Sequence, residues 1–253
     1  MSEPGKPAAA WAAPDDNAER RLPPALTRWH QPVFLLFLLI CAANLALVAL
    51  PAPARTSGRW MEGVFLFFAA ATTLLGLSRR LPPQNVLLLA ALIGGLSAGL
   101  TAVGAVVGVP FGPLVWVVIL ITGRGVAQLI LRPRRRTSYY GFWLIGLAGL
   151  LAVIFNWGLE PLAVPGRHTT PWFHFLAGFA VVVALLVCTV PWWINKQSNW
   201  QPVDYHPLAV WWAMNLWLVA GNVAHYFWPE VVVSLVLNGV VTAFAVRGAR
   251  QPK

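Results

Sequence analysis

The sequence predicts an all-α fold, a polytopic bundle of about eight transmembrane helices joined by short loops. Hydrophobic residues make up 58% of the 253 residues and charged residues only 10%, whereas a soluble domain carries about 25% charged residues. Eight apolar stretches also recur along the chain. Most of them approach the roughly 20 residues that an α-helix needs to cross a hydrocarbon core.

The first four predicted spans cover residues 33–50, 60–78, 85–108 and 114–131. Pairs of prolines separate them, and proline ends or begins helices because it has no backbone N–H to donate. The third span is rich in glycine, alanine and serine, which let another helix backbone approach closely. Arg124 interrupts the fourth span, so seven spans remain an alternative to eight.

The last four predicted spans cover residues 139–157, 172–194, 207–227 and 231–246. Pro133, Pro202 and Pro229 precede three of them, and several prolines lie in the loop between the fifth and the sixth. The start of the chain is rich in alanine, proline and charge and lacks an apolar run, which is typical of a disordered segment. The predicted organisation is therefore a cytoplasmic tail over residues 1–30, a transmembrane domain over 31–247 and a second tail over 248–253.

The basic residues set the predicted orientation. If the spans alternate from the N-terminus, most of the 18 Lys and Arg residues flank the membrane on the N-terminal side. This bias is the positive-inside signal, so both termini are predicted to be cytoplasmic, which favours an even number of spans. The inner flanks hold Arg20, Arg21, Arg28, Arg79, Arg80, Arg132, Arg134, Arg135, Arg136, Lys196, Arg247, Arg250 and Lys253, and the outer loops hold Arg55, Arg59 and Arg167.

Acidic and imidazole side chains gather on the opposite, outer side of this topology. Glu62 begins the second span, Asn156 and Glu160 lie one helical turn apart at the end of the fifth, and His174 begins the sixth. Burial favours a protonated carboxyl group, which can then act as a general acid. The pattern indicates a proton-transfer site, and the alternative is that water and headgroups solvate these side chains.

Other polar residues within the spans suggest packing. Asn215 and Asn222 on the seventh span, and Ser234, Asn238 and Thr242 on the eighth, predict hydrogen bonds between helices. Most of the 14 tryptophans lie near span ends, as in an aromatic belt at the membrane boundary. The alternative for these tryptophans is a set of flat walls for a polyene.

Arg124 leaves three interpretations open: it binds an anion, pairs with Glu62, or extends its side chain towards the membrane surface. Both cysteines fall inside predicted spans, and the sequence shows no metal-ligand spacing. No metal and no cofactor are therefore expected.

Two segments resemble a known family. Residues 99–112, GLTAVGAVVGVPFG, resemble the "G…PFG" segment of bacterial and archaeal carotenoid-biosynthesis membrane proteins, which include carotenoid hydratases. Residues 155–163, FNWGLEPLA, are similar to that family's "D-x-x-(L/M)-(E/D)-P-x-A" stretch. Shorter matches extend the resemblance over much of the second half of the chain, at residues 124–127, 140–143 and 204–211.

The resemblance implies a hydratase of the lyase class, which adds water to a terminal C=C of an acyclic carotenoid. Glu160 is then the expected acid, Asn156 orients water or Glu160, and Glu62 or His174 accepts the proton of the water. Aromatic rings would stabilise the carbocation through their faces. The expected substrate-binding residues are Gly108, Pro110, Phe111, Gly112, Trp157, Trp172 and Arg124.

Departures from the family pattern support other functions. Asn156 stands where the family has an aspartate, residues 100–103 lack an expected acidic residue, and the loops after Phe111 and Pro161 are short. The alternative is a non-catalytic membrane protein that binds carotenoid or lipid, or that scaffolds pathway enzymes. A small-solute transporter is the third and last-ranked hypothesis. Transporters usually carry charged groups near the membrane midplane, and only Arg124 fits that description.

The expected location is the inner membrane of a bacterium, which the chain crosses several times. Membrane lipid and a carotenoid or other long isoprenoid are the expected partners. The charge distribution argues against nucleic acid, although the net charge is +10. The sequence leaves a homo-oligomer open.

The predicted topology is testable with reporter fusions. We expect green fluorescent protein to fluoresce after Lys253 and alkaline phosphatase to be inactive there, because this phosphatase needs disulfides that form only outside the cytoplasm. Fusions after Pro165, in a predicted outer loop, should give the reverse pattern. Active phosphatase after Lys253 would contradict a cytoplasmic C-terminus.

Overall fold

The computed structural model describes residues 24–48, 59–107, 112–135, 137–163, 172–193 and 203–251. This part of the chain is helical, with turns between helices and no strand. Its α-helices are α1 (Pro24–Val48), α2 (Arg59–Ser78), α3 (Pro83–Val107), α4 (Pro113–Ile130), α5 (Tyr140–Ala163), α6 (Trp172–Trp193), α7 (His206–Ala224) and α8 (Trp228–Arg250), and a 3-10 turn at Arg132–Arg134 follows α4.

The all-α class predicted from the sequence is confirmed, and each predicted span coincides with one helix. Five helices are long and apolar enough to cross a membrane, as expected of an integral membrane protein. The number of crossings stays a prediction. The five stretches are Trp29–Val48, Trp60–Ser78, Pro113–Ile130, Tyr140–Leu162 and Trp228–Arg250.

Both end helices extend into the predicted tails. Helix α1 begins at Pro24, within the predicted tail 1–30, and α8 continues to Arg250. Proline fits the first turn of a helix, because the N–H that it lacks would have no partner inside the helix there. The boundaries therefore move by several residues without changing the order of the elements.

Consecutive helices run antiparallel, so the bundle has two ends. The end that the sequence predicts to be cytoplasmic, which we call the inner end, holds the starts of α1, α3, α5 and α7 and the ends of α2, α4, α6 and α8. There the His30 ring lies 4.3 Å from the His206 ring, and Arg132 Nη1 lies 3.5 Å from the Ala249 carbonyl oxygen, to which it donates. At the opposite, outer end, Asn44 Nδ2 donates to the Met61 carbonyl oxygen over 3.4 Å.

Helix α4 is the centre of the bundle. It contacts α2, α3, α5, α7 and α8, and 67% of its apolar window is buried, against 22% for α1. A helix that is apolar all round is expected in the middle of a structure. Arg124 makes the fourth span the least certain of the predicted transmembrane spans, yet the other helices pack around this span.

The bundle buries polar residues and exposes apolar ones. On α8, Ser234 and Asn238 are buried, whereas Val232, Val236 and Phe244 are exposed. This arrangement is the reverse of the one found in a soluble helix, and it is the arrangement that surrounding lipid requires. Exposed aromatic residues at helix ends fit the predicted belt, among them Trp29, Trp60, Trp143 and Trp228.

Most of the hydrogen bonds predicted along α7 and α8 are present, but Ser234 Oγ has no partner among the described residues. Asn238 accepts a bond from Trp211 Nε1 at 2.7 Å and donates to Asn215 Oδ1 at 3.1 Å. Trp212 Nε1 donates to Thr242 Oγ1 at 2.7 Å. Asn222 reaches a third helix, because its Nδ2 donates to the Gly158 carbonyl oxygen on α5 at 2.8 Å.

Gly248 allows the backbone of α8 to approach the backbone of α4 closely. A Cβ atom at residue 248 would lie 2.7 Å from the Ile130 carbonyl oxygen and would also overlap the Leu129 carbonyl oxygen. These are backbone atoms, which cannot rotate away as a side chain would. Only glycine therefore fits this crossing without moving a helix.

We expect Gly248→Ala to lower the free energy of unfolding by about 1–3 kcal/mol, as overpacking does. Gly239→Ala is the matched control, because a Cβ atom there meets nothing within 4 Å and alanine favours the helix by about 1 kcal/mol. Thermal unfolding in detergent measures both variants. Equal melting temperatures for the two would contradict the close packing at Gly248.

Candidate functional site

Glu160 and Asn156 lie on one face of α5, as predicted; Glu160 is buried and Asn156 is partly buried. Glu160 is 8% exposed, and its Oε2 atom has no hydrogen-bond partner among the described residues. The same holds for Asn156 Oδ1. Pro161 adds a further polar group, because it cannot donate the helical hydrogen bond to the Trp157 carbonyl oxygen. The outer part of α5 thus carries several polar atoms in poorly solvated surroundings.

A small cavity lies beside Asn156, between α4, α5 and α6. Its volume is about 10 Å³, and Trp116, Asn156 and Gly178 are among the residues that line it. A space of this size holds one water molecule at most. Trp157, the next residue of α5, stacks on Phe175 of α6, with 5.3 Å between ring centroids.

The remaining outer-end predictions fall in different places. Glu62 is exposed at the start of α2, and Gly112 is the exposed N-cap of α4. Trp172 and His174 belong to the first turn of α6, but their side chains lie outside the described part. Gly108, Pro110 and Phe111 also lie outside the described residues.

Arg124 is the one predicted site residue at the other end of the bundle. It lines a cavity at the inner end rather than a space near Glu160, and within the described structure no ion pair joins it to Glu62. Its guanidinium carbon lies 3.9 Å from the centroid of the Trp193 ring. This is a cation–π contact, which favours a charged group held out of water.

We call this inner cavity the cationic pocket. It has a volume of about 230 Å³ and lies between α2, α4, α5, α6 and α7. Its ionisable lining residues include Arg80, Arg124, Arg135, Asp204 and His206, and its remaining polar and aromatic lining includes Thr72, Thr73, Thr122, Gln128, Tyr140 and Trp193.

Asp204 organises the mouth of the cationic pocket. Its Oδ2 lies 2.8 Å from Arg80 Nη2, and its Oδ1 accepts a hydrogen bond from the His206 backbone N–H at 3.0 Å and lies 2.6 Å from His206 Nδ1. Burial by itself raises the pKa of the Asp204 carboxyl. The Arg80 charge and the His206 hydrogen bonds outweigh burial and hold the pKa below its usual value of 3.8.

His30 of α1 closes this cluster from the side. Its ring is 2% exposed and meets the His206 ring edge-on. The described residues contain no group of three or more His, Cys, Asp or Glu side chains placed to hold a metal ion. Within this part of the chain the inner end is therefore built for charge and aromatic contacts.

Sequence reasoning found Arg124 but not the pocket around it. The sequence assigns Arg80 to the membrane boundary as a topology anchor, and Arg135 to the same role or to a run that attracts anionic lipid. It assigns Trp193 to the aromatic belt or to a flat wall for a polyene. One signal was available: beyond residues 1–30, Asp204 is the only acidic residue on the predicted inner side. A single carboxylate among so many arginines indicates an ion pair, although its partner follows only from the fold.

Comparison with known proteins gives no assignment: no family model, no curated protein and no solved structure matches this chain.

The Asp204 ion pair predicts a pH-dependent stability. Because the pKa of Asp204 is lower in the folded chain, its contribution is complete above the pKa of the unfolded chain and is lost as pH falls through the folded value. We expect Asp204→Asn to lower the free energy of unfolding at pH 7 by about 1.5–3 kcal/mol. The difference from the unmodified protein should shrink below about pH 4.

Unfolding of both proteins across this pH range in detergent measures the effect. Glu62→Gln is the matched control, because Glu62 is exposed and is expected to change stability little at any pH. A destabilisation by Asp204→Asn that is the same at pH 7 and pH 3 would show that the carboxylate charge is not what stabilises this end.

Proposed function

We propose that this chain adds water to a terminal C=C of a long acyclic isoprenoid of the carotenoid type, at the outer end of the bundle. The observation that carries the proposal is Glu160, a carboxyl group that is 8% exposed and has no ion pair within the described structure. An acid held out of water is suited to giving its proton to an alkene rather than to solvent.

The neighbours of Glu160 supply roles for the remaining steps. The cavity of about 10 Å³ beside Asn156 accommodates the attacking water, which the amide orients. The stacked Trp157 and Phe175 rings offer aromatic faces to a carbocation, and a cation over such a face is stabilised by about 0.5–2 kcal/mol.

The proposed reaction is balanced without a cofactor. The Glu160 proton adds to the less substituted carbon of the terminal C=C, where the C=C electron pair forms the new C–H bond. The other, dimethyl-substituted carbon becomes a tertiary carbocation. Water attacks this cation and forms the C–O bond. The proton that the water then loses passes to Glu62 or His174 and returns to Glu160, so the net change is alkene plus water to a tertiary alcohol.

A binding protein without catalysis is the second candidate. Asn156 favours this function, because an amide has no acidic proton to give. The cavity beside Asn156 in the described structure also favours it, because this cavity holds no more than one water molecule. In this function the exposed apolar and aromatic faces hold the isoprenoid, and Glu160 is a buried polar group of the bundle.

Pigment analysis separates the two candidates. In a bacterial host that accumulates acyclic carotenoids, we expect the unmodified chain to yield a product heavier than its precursor by one water. Glu160→Gln should abolish this product, because glutamine keeps the shape but has no proton to donate. Liquid chromatography with mass detection measures both pigments, and immunoblotting of membranes shows that the variant inserts.

Glu230→Gln is the matched control, because it removes another carboxylate at the outer end and should leave the product unchanged. Undiminished product from Glu160→Gln would remove Glu160 from the mechanism. Carotenoid that co-purifies with the unmodified chain without being converted would favour the binding protein.

A further inference from the structure

The cationic pocket carries an inference that is independent of the outer end. Its lining residues come from five helices, and they combine three guanidinium groups with apolar side chains such as Leu77, Leu81 and Val210. A volume of about 230 Å³ is below the roughly 300–1,000 Å³ of pockets that enclose a drug-sized ligand. The pocket therefore fits a small charged group, with room for only part of a larger molecule.

Positive charge is in excess in this pocket. Arg80, Arg124 and Arg135 face one carboxylate, Asp204, which pairs with Arg80. Arg124 makes no ion pair with any described residue and contacts the Trp193 ring instead. The charge of Arg124 is therefore not offset by any described carboxylate, and like charges close together in a poorly solvated space repel each other.

Arg124 is also held deep in the bundle. It lies six residues before the end of α4, which is about 9 Å along the helix axis. A basic residue inside a membrane helix costs on the order of 2.5–3.5 kcal/mol on insertion scales. Such residues mark functional sites more often than structural ones, because a ligand of opposite charge offsets the cost.

The partners of Arg124 fix its position. Trp193 is buried and its Nε1 donates to Thr189 Oγ1 at 3.0 Å, which fixes the ring beneath the guanidinium. Gly125 follows Arg124 in the chain, and a Cβ atom there would lie 2.6 Å from Pro207 Cβ, so α4 and α7 approach closely beside the pocket. The guanidinium is thus set in place before any ligand arrives.

We propose that the cationic pocket binds a phosphate group, either on the headgroup of an anionic lipid or as a free ion. Arginine binds phosphate oxygens through two parallel N–H groups, and the three terminal oxygens of a phosphate monoester can accept hydrogen bonds from more than one arginine. A phosphate monoester carries a charge of about −1.5 to −2 at pH 7, which would offset the Arg124 charge that no described carboxylate balances.

The surroundings are those of a phosphate at the membrane boundary. A second depression of about 480 Å³ shares Arg80, Asp204 and His206 with the pocket and is also lined by Phe34 and Val203. It would admit the remainder of a lipid whose phosphate lies against Arg124. The basic run after α4 attracts anionic lipid to the same end.

Binding is tested with the full chain purified in an uncharged detergent. In one arm, calorimetry follows titration with inorganic phosphate. In the other, native mass spectrometry compares retention of phosphatidic acid with that of phosphatidylcholine. We expect saturable binding of one phosphate group in at least one arm, and preference for phosphatidic acid in the lipid arm.

Three variants assign the binding to the pocket. Arg124→Gln should weaken binding at least about tenfold, as the loss of charge-assisted hydrogen bonds does. Arg134→Gln is the matched control, because Arg134 is exposed on the same basic turn and does not line the pocket. Arg135 is also exposed, but it does line the pocket. Arg135→Gln therefore tests whether the pocket binds phosphate if Arg124→Gln does not fold.

Each outcome has a meaning. Binding of inorganic phosphate alone identifies a soluble phosphate as the ligand, and retention of phosphatidic acid alone identifies a lipid headgroup. No saturable binding in either arm would overturn the proposal. An equal loss in Arg134→Gln and in the pocket variants would also overturn it, because diffuse attraction to a basic surface would then explain the binding. Hydration of a carotenoid is not measured in any arm, so the outer-end proposal is unaffected.

Discussion

Lipid offers no hydrogen bonds, and this constraint governs the whole structure. A polar group within the bundle is stabilised by a partner inside the protein, so the helices turn most of their few polar residues inward and their apolar residues outward. The contact between α7 and α8 shows this most clearly, because Asn238 bonds Trp211 and Asn215 there. With no hydrophobic effect between helices, such bonds and close packing hold the bundle together.

Close packing explains the central place of α4. Gly125 and Gly248 let α7 and α8 approach it to distances that any Cβ atom would prevent. The helix that carries the costly Arg124 is therefore surrounded on most sides. This enclosure excludes lipid from the guanidinium and makes room for the aromatic and polar groups that accommodate it.

The two ends of the bundle have opposite chemistry. The outer end presents Glu160, a shielded carboxyl group with an unpartnered oxygen in the described structure, which suits the donation of a proton. The inner end gathers guanidinium groups around one carboxylate and suits the binding of an anion. A protein that handled a long isoprenoid in a membrane would use both: an acid for the apolar chain and a basic pocket at the headgroup level.

The sequence by itself determined the all-helical class, the order of the helices and the facing of Asn156 and Glu160, because these depend on apolar length and on the helical period. It also predicted the hydrogen bonds of α7 and α8, since polar side chains within a span have few other partners. It interpreted Arg80, Arg135 and Trp193 as boundary residues, which their positions along the chain also allow. Only the tertiary structure decided that these residues meet Arg124 and Asp204, because residues from five helices form one pocket through packing between segments that are far apart in the chain.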